Sequence, residues 1–203
     1  MAREPARTPY EAEQRYIRII SRSLTCITRA IWTATPSIRG TDEDRTLLVS
    51  RASDGSPIRL SRAEGPPVHL TAYQQFRLVP DTRWAADEWK ASSRQYGYEI
   101  WEPTDDHKLK PVIQWHWHPG SGNTDEPHIH VRASEDICGR ATRRLHIPSE
   151  RVAFESIVRF LIVDLGVVPL RDDWEELVND ALSAFVRFRT WPRSASLDSS
   201  PQS

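Results

Sequence analysis

Residues 115–131 read WHWHPGSGNTDEPHIHV, and this stretch decides how the surrounding chain must fold. Two segments in which histidine alternates with tryptophan, isoleucine or valine flank a loop that begins and ends with proline. Successive side chains of a strand point to opposite faces of a sheet, so the alternation predicts two antiparallel strands with their histidines on one face. The bulky apolar side chains then occupy the other face, where a hydrophobic core must cover them.

The two strands are predicted to pair so that both apolar sets join the same core. One such pairing places His118 opposite His128 and His116 opposite His130, and shifts by two residues keep the same faces. A shift of one residue is disfavoured, because it would bury one set of histidines and expose the apolar set of its partner. The sequence therefore predicts four imidazoles on one patch, with cross-strand Cβ distances of roughly 5 Å.

The composition is that of a single globular domain without a strong field of either sign. The 203 residues carry a formal net charge of −1, and 38% of them are hydrophobic. A neutral balance argues against nucleic-acid binding by the surface as a whole. The two cysteines lie far apart in no metal-ligand spacing, which indicates reduced thiols. Without a signal peptide or a long apolar segment, we expect a cytoplasmic protein with no membrane partner.

The order of periodic segments predicts an α+β fold, with an antiparallel sheet packed on an N-terminal helix and two C-terminal helices. Thr8, Pro9 and Glu11 form a capping signal for the first helix, and apolar residues at spacings of three and four continue it. We predict a disordered N-terminus over 1–8, one α+β domain over 9–191 and a disordered tail over 192–203. Within the domain the helix spans 9–33, residues 45–147 are mainly strands, and 153–190 form two helices.

Imidazoles on a shared patch suit acid–base catalysis, because the pKa of a free imidazole lies close to neutral pH. His118 and His128 are the predicted acid and base, and His116, His130 and His146 would orient or bind the substrate. Basic residues nearby could hold a phosphate and stabilise the charge that develops on it: Lys108, Arg132, Arg140, Arg143 and Arg144. This combination predicts a hydrolase, such as a ribonuclease-like phosphodiesterase that acts on RNA or another phosphodiester and requires no cofactor.

Two other interpretations of the same histidines remain open. His116, His118, His128 and His130 could bind one divalent transition metal, and the chain would then be a non-catalytic metal- or ligand-binding protein. Alternatively the histidines are structural, and the chain is an interaction module for another protein.

The segments HWHP at 116–119 and PHIH at 127–130 resemble uncharacterised bacterial families that have an HWHP strand, a loop and a PHxH strand. This resemblance extends over roughly Tyr96 to Val168. The same segments are similar, more faintly, to small toxins of bacterial toxin–antitoxin pairs built on short histidine-rich strands. That second resemblance implies a toxin-like activity and an antitoxin-like protein partner.

Overall fold

The computed structural model describes residues 6–36, 44–50, 57–81, 88–106, 108–120, 125–131 and 147–188. These residues form an α+β fold, as predicted, in which an antiparallel sheet is combined with one N-terminal and two C-terminal helices. In chain order the described elements are α1 (Pro9–Leu24), β1 (Ile31–Pro36), β2 (Asp44–Ser50), β3 (Ile58–Leu60), β4 (Val68–Pro80), β5 (Trp89–Pro103), β6 (Leu109–Trp117), β7 (His128–Val131), β8 (Ile147–Pro148), α2 (Phe154–Val163) and α3 (Trp174–Phe188).

The sheet has the strand order β1-β2-β4-β5-β6-β7-β8, and β3 pairs with the beginning of β4. All these pairings are antiparallel. The central strands β4 and β5 have 13 and 15 residues and pair along most of their length. Side chains of β4 alternate between buried and half-buried, so one face of the sheet meets the core and the other is partly open to solvent.

Helix α1 packs on the core face of the sheet, where its Tyr16 ring lies 4.8 Å from the Phe76 ring of β4. The helix begins as predicted, because the Thr8 hydroxyl accepts a hydrogen bond from the Glu11 N–H at 3.1 Å. The Glu11 carboxylate in turn accepts from the Arg7 N–H at 2.6 Å, so the cap extends to the residue before Thr8. This capped first turn fixes where the helix enters the core.

The first helix is shorter than the predicted span of 9–33, which was wrong for its C-terminal part. The helix ends at Leu24, and Ile31–Pro36 is instead the edge strand β1, paired with β2. The apolar spacing continues to Ile27, which is buried in the turn after the helix and therefore mimics a further helical position. The Thr28 hydroxyl accepts from the Ala30 N–H at 3.1 Å, which stabilises the turn, and the residues that follow favour a strand.

Residues just before α1 are held against the sheet, so the predicted disorder over 1–8 was wrong for residues 6–8. Ala6 is buried, and its carbonyl accepts a hydrogen bond from the Trp89 N–H at 2.7 Å. This bond joins the segment just before α1 to the first residue of β5 and so anchors the N-terminal end of the helix. The residues before Ala6 and the predicted tail over 192–203 lie outside the described part of the chain.

The two C-terminal helices lie within the predicted span of 153–190. Phe154, Ile157 and Leu161 of α2 are buried, and the chain leaves this helix through Gly166, whose φ of +68° favours glycine. Helix α3 packs on both α1 and α2. The three helices thus lie on the core side of the sheet, and a site has room on the opposite face.

Candidate metal centre

Strands β6 and β7 carry their histidines on the partly open face of the sheet and their indoles on the core face, as predicted. Trp115 and Trp117 are 6% and 4% exposed. The Trp115 ring packs edge-on against Phe160 of α2 with centroids 5.4 Å apart, and the Arg151 guanidinium lies 3.8 Å from the Trp117 ring centroid. Side chains at the alternating positions therefore point away from the helices.

The pairing of the two strands differs by two residues from the pairing described above. His116 lies opposite His128 rather than opposite His130. Strand β6 ends at Trp117, so His118 lies just beyond the last strand residue and has no opposite residue in the ladder. A shift of two residues leaves both faces unchanged, and the apolar pattern therefore could not distinguish the two pairings.

The four imidazoles form two triangles that share one side. The shared side joins His116 and His128, whose ring centroids are 6.0 Å apart. His118 completes one triangle at 5.9 Å from His116 and 5.1 Å from His128. His130 completes the other at 5.4 Å and 4.9 Å from the same two rings. Four of the five histidines considered from the sequence are therefore gathered on one patch.

The triangle of His116, His118 and His128 is a candidate set of metal ligands. The candidate ligand nitrogens of His116, His118 and His128 all lie within 4.8 Å of one another. Tetrahedral zinc with Zn–N bonds of about 2.0–2.1 Å needs nitrogens about 3.4 Å apart, so the three rings would have to draw closer together when an ion binds. These three histidines could hold a metal ion, whereas His130 adjoins two of them and is not part of the trio.

A backbone carbonyl orients His128. Its Nδ1 lies 2.9 Å from the carbonyl oxygen of Glu126, and because a carbonyl only accepts, Nδ1 carries the proton of the neutral ring. The lone pair is then on Nε2, which is buried. A neutral imidazole with a fixed tautomer is the form in which histidine binds a metal, through the ring nitrogen that carries no proton.

A carboxylate on β5 orients His116. Glu99 Oε1 lies 3.1 Å from His116 Nε2 and also accepts a hydrogen bond from Gln114 Nε2 at 2.9 Å, while Oε2 accepts from the Thr71 hydroxyl at 3.2 Å. The hydrogen bond from His116 is the largest cause that lowers the pKa of Glu99 below its ordinary value, and burial opposes it. Since the ionised carboxylate accepts the Nε2 proton, the lone pair of neutral His116 is left on Nδ1.

Several residues considered from the sequence do not contribute to this description. The residues that lie outside the described part of the chain are His146, Arg132, Arg140, Arg143 and Arg144. Lys108 is described, but it precedes the first residue of β6 and is therefore at the opposite end of that strand from the histidines. Its side chain is 80% exposed and its ammonium pairs with Asp106 at 2.6 Å. The expectation that Lys108 helps to bind a phosphate at the histidines was therefore wrong.

Two contributors to the site were missed in the sequence, Glu99 and the carbonyl of Glu126. A partial signal for Glu99 existed, because alternation from Tyr98 and Ile100 puts it on the face away from their apolar side chains. The strand order was the missing information, since β5 must lie beside β6 for Glu99 to face Gln114. A backbone carbonyl leaves no trace in residue identity, so its role could be found only from the folded chain.

The described helices include none that is both long and apolar enough to cross a membrane. The resemblance to bacterial families with the HWHP and PHxH segments stays a prediction. No protein-family model, no curated protein and no solved structure matches this chain.

Proposed function

We propose that this chain is a metal-dependent hydrolase in which His116, His118 and His128 bind one divalent transition-metal ion, most simply zinc. The observation that carries the proposal is the convergence of three ligand nitrogens within 4.8 Å on one face of the sheet. Three protein ligands with a fourth position left to solvent are the usual set of a catalytic zinc site. His116 and His118 are half-buried, so a small substrate can approach them.

The partners behind the ligands support the same proposal. Histidines that bind metals almost always donate their second ring N–H to a carboxylate, a carbonyl or water. His116 has such a partner in Glu99, and His128 has one in the Glu126 carbonyl. Histidines that cluster on a surface by chance would not be expected to have two such hydrogen-bond acceptors behind them.

The chemistry available at this site is hydrolysis of an ester or a phosphodiester. Zinc held by three histidines acts as a Lewis acid and lowers the pKa of a bound water to about 7. His130 lies 5.4 Å and 4.9 Å, ring to ring, from His116 and His128 without belonging to the trio. In the proposed site it would accept the proton of the attacking water. The acid–base role predicted for the cluster would fall to this histidine.

Metal binding is the first test. The metal-free protein should take up about one equivalent of zinc or cobalt(II) in isothermal titration calorimetry. Loss of an outer partner alone costs about 10–100-fold in affinity, so His116→Ala or His128→Ala should cost more than about 100-fold. His69→Ala is the matched control, because His69 lies on β4 and pairs with Trp101 on β5, away from the trio. No uptake by the wild type, or equal uptake by the His116 and His128 variants, would contradict the proposal.

A metal-free acid–base phosphodiesterase is the second candidate, and the 5.1 Å separation of the His118 and His128 rings favours it. Chelation separates the two. RNA and bis(p-nitrophenyl) phosphate should be cleaved by the zinc-loaded protein, not in EDTA, and again after zinc is restored. Cleavage that persists in EDTA and is lost in His118→Ala/His128→Ala would favour the metal-free enzyme. Zinc binding without any cleavage would reduce the proposal to a metal-binding protein.

Replacement of Glu99 by glutamine is predicted to weaken zinc binding by about 10–100-fold. The amide keeps the shape of the side chain but removes the negative charge that fixes the Nε2–H tautomer of His116. Competition with a zinc chelator of known affinity measures the change. Glu102→Gln on the same strand is the control, since Glu102 is 44% exposed and pairs with Arg62. Equal zinc affinity of Glu99→Gln and wild type would show that the carboxylate has no part in the site.

A further inference from the structure

Three residues form a row across the open face of the sheet beside the trio. Tyr73 of β4 lies opposite Gly97 of β5, and Gly97 lies opposite His116 of β6. All three positions alternate with buried residues of their own strands, so they belong to the face that carries the histidines. Gly97 brings no side chain to this row, which leaves the space between Tyr73 and His116 open.

The Tyr73 ring occupies that space. A Cβ added at Gly97 would lie 2.3 Å from Cε1 of Tyr73 and 3.0 Å from its Cζ, so the ring extends directly over the glycine. Neighbouring strands place paired Cβ atoms about 5 Å apart. A ring that starts on β4 and already covers β5 therefore directs its hydroxyl toward β6, where His116 lies.

The Tyr73 phenol carries its proton at neutral pH, since the ordinary pKa of a tyrosine is about 10. Burial, first, and the carboxylate of Glu99, second, raise the pKa of Tyr73 above its ordinary value. The same carboxylate lies 3.1 Å from Nε2 of His116, so Tyr73 and His116 both lie near Glu99. A protonated phenol such as that of Tyr73 can donate one hydrogen bond.

We propose that the Tyr73 hydroxyl is an oxyanion-binding group of the metal centre, which donates a hydrogen bond to a carboxylate or phosphate oxygen bound at the ion. This inference rests on the proposed metal site and adds the class of group that the site recognises. A donor held in position beside an ion stabilises negative charge on a substrate oxygen as that charge develops. Gly97 has a defined part in this arrangement, because any larger residue would push the ring off its place.

Cobalt(II)-loaded protein titrated with inorganic phosphate, and separately with acetate, tests the proposal through the visible absorption of the ion. Tyr73→Phe keeps the ring over Gly97 and removes only the hydroxyl. A hydrogen bond to a charged group contributes about 1.5–3 kcal/mol, so this variant should bind at least one of the anions about 10–100-fold more weakly. Its cobalt affinity and its Tm should match those of the wild type. If the ring had only a packing role, the anion affinity would also be unchanged.

Gly97→Ala should weaken anion binding in the same way by displacing the ring. Tyr10→Phe, on an α1 residue that is 68% exposed, should change nothing. Two results would overturn the role of Tyr73 and leave the metal site intact. One is that the cobalt-loaded wild type binds neither anion, and the other is that Tyr73→Phe and wild type bind the anions equally well. Failure of the wild type to bind cobalt would overturn the metal site, and this inference with it.

Discussion

Zinc at about 1,000 times its dissociation constant is expected to raise the free energy of unfolding by about 4 kcal/mol, because the ion binds the folded site and not the unfolded chain. For a domain of this size, a gain of 1 kcal/mol in the free energy of unfolding raises the Tm by about 2–4 °C, so the Tm should rise by about 8–16 °C. The expected gain in stability extends beyond the site itself, since His116 and His128 lie opposite each other on β6 and β7. An ion shared by them would tie the short strand β7 to the rest of the sheet. Calorimetric scans with and without zinc measure the change.

The double variant His116→Ala/His128→Ala should show no rise in Tm when zinc is added. His69→Ala, which changes a histidine of β4 outside the trio, should retain the full rise. Each protein is compared with itself, so a lower Tm of a variant without zinc does not affect the result. A rise of equal size in the double variant would place zinc elsewhere on the chain and contradict the assignment of the site.

The alternation of histidine with tryptophan was enough to predict the faces of β6 and β7. Burying Trp115 and Trp117 is favourable by a few kcal/mol each, and this preference selects the face of every neighbour in the strand. The same preference is indifferent to a shift of two residues, so the pairing of His116 with His128 could not be predicted. Register depends on where β6 ends and on the loop, about which the apolar pattern carries no information.

Local patterns also failed where tertiary contacts decide the structure. Ile27 continues the helical spacing of α1, yet the chain has already turned toward β1 at that point. The partner strand β2 lies later in the chain, so its effect on residues 31–36 is not visible in a local pattern. Pairing with that partner outweighs a local preference of a few tenths of a kcal/mol per residue.

Glu155 is buried, although its position in the sequence predicts an exposed side chain. A glutamate in the first turn of a helix suits the helix dipole and would be expected in solvent. Instead it is 0% exposed, and neither of its carboxyl oxygens hydrogen-bonds to another residue among those described. Its charge acts on the buried phenols of Tyr16 and Tyr98, which are joined through the side-chain amide of Gln74. The core thus contains a carboxyl group whose ionisation is costly.

Replacement of Glu155 by glutamine is expected to make the folded protein more stable at pH 8 by up to about 3 kcal/mol. Burial raises the pKa of Glu155 from its ordinary 4.5 to about 7, and its own backbone N–H offsets only part of this effect. Below pH 4.5 the carboxyl keeps its proton in both the folded and the unfolded chain. As the pH rises from 4.5 to 7, the unfolded chain releases the proton while the folded chain retains it, so stability falls. Above pH 7 the loss is complete, and glutamine, which carries no charge, avoids it.

Urea unfolding of the metal-free wild type and of Glu155→Gln across this pH range checks the expectation. The other titrating groups are common to both proteins, so the difference between their free energies of unfolding isolates Glu155. That difference should grow in favour of the variant as the pH rises and should level off above about 7. Glu176→Gln, an exposed position on α3, should leave the pH dependence of the wild type unchanged. Parallel curves for wild type and Glu155→Gln would contradict the expectation, because they would show that folding leaves the pKa of this carboxyl unchanged.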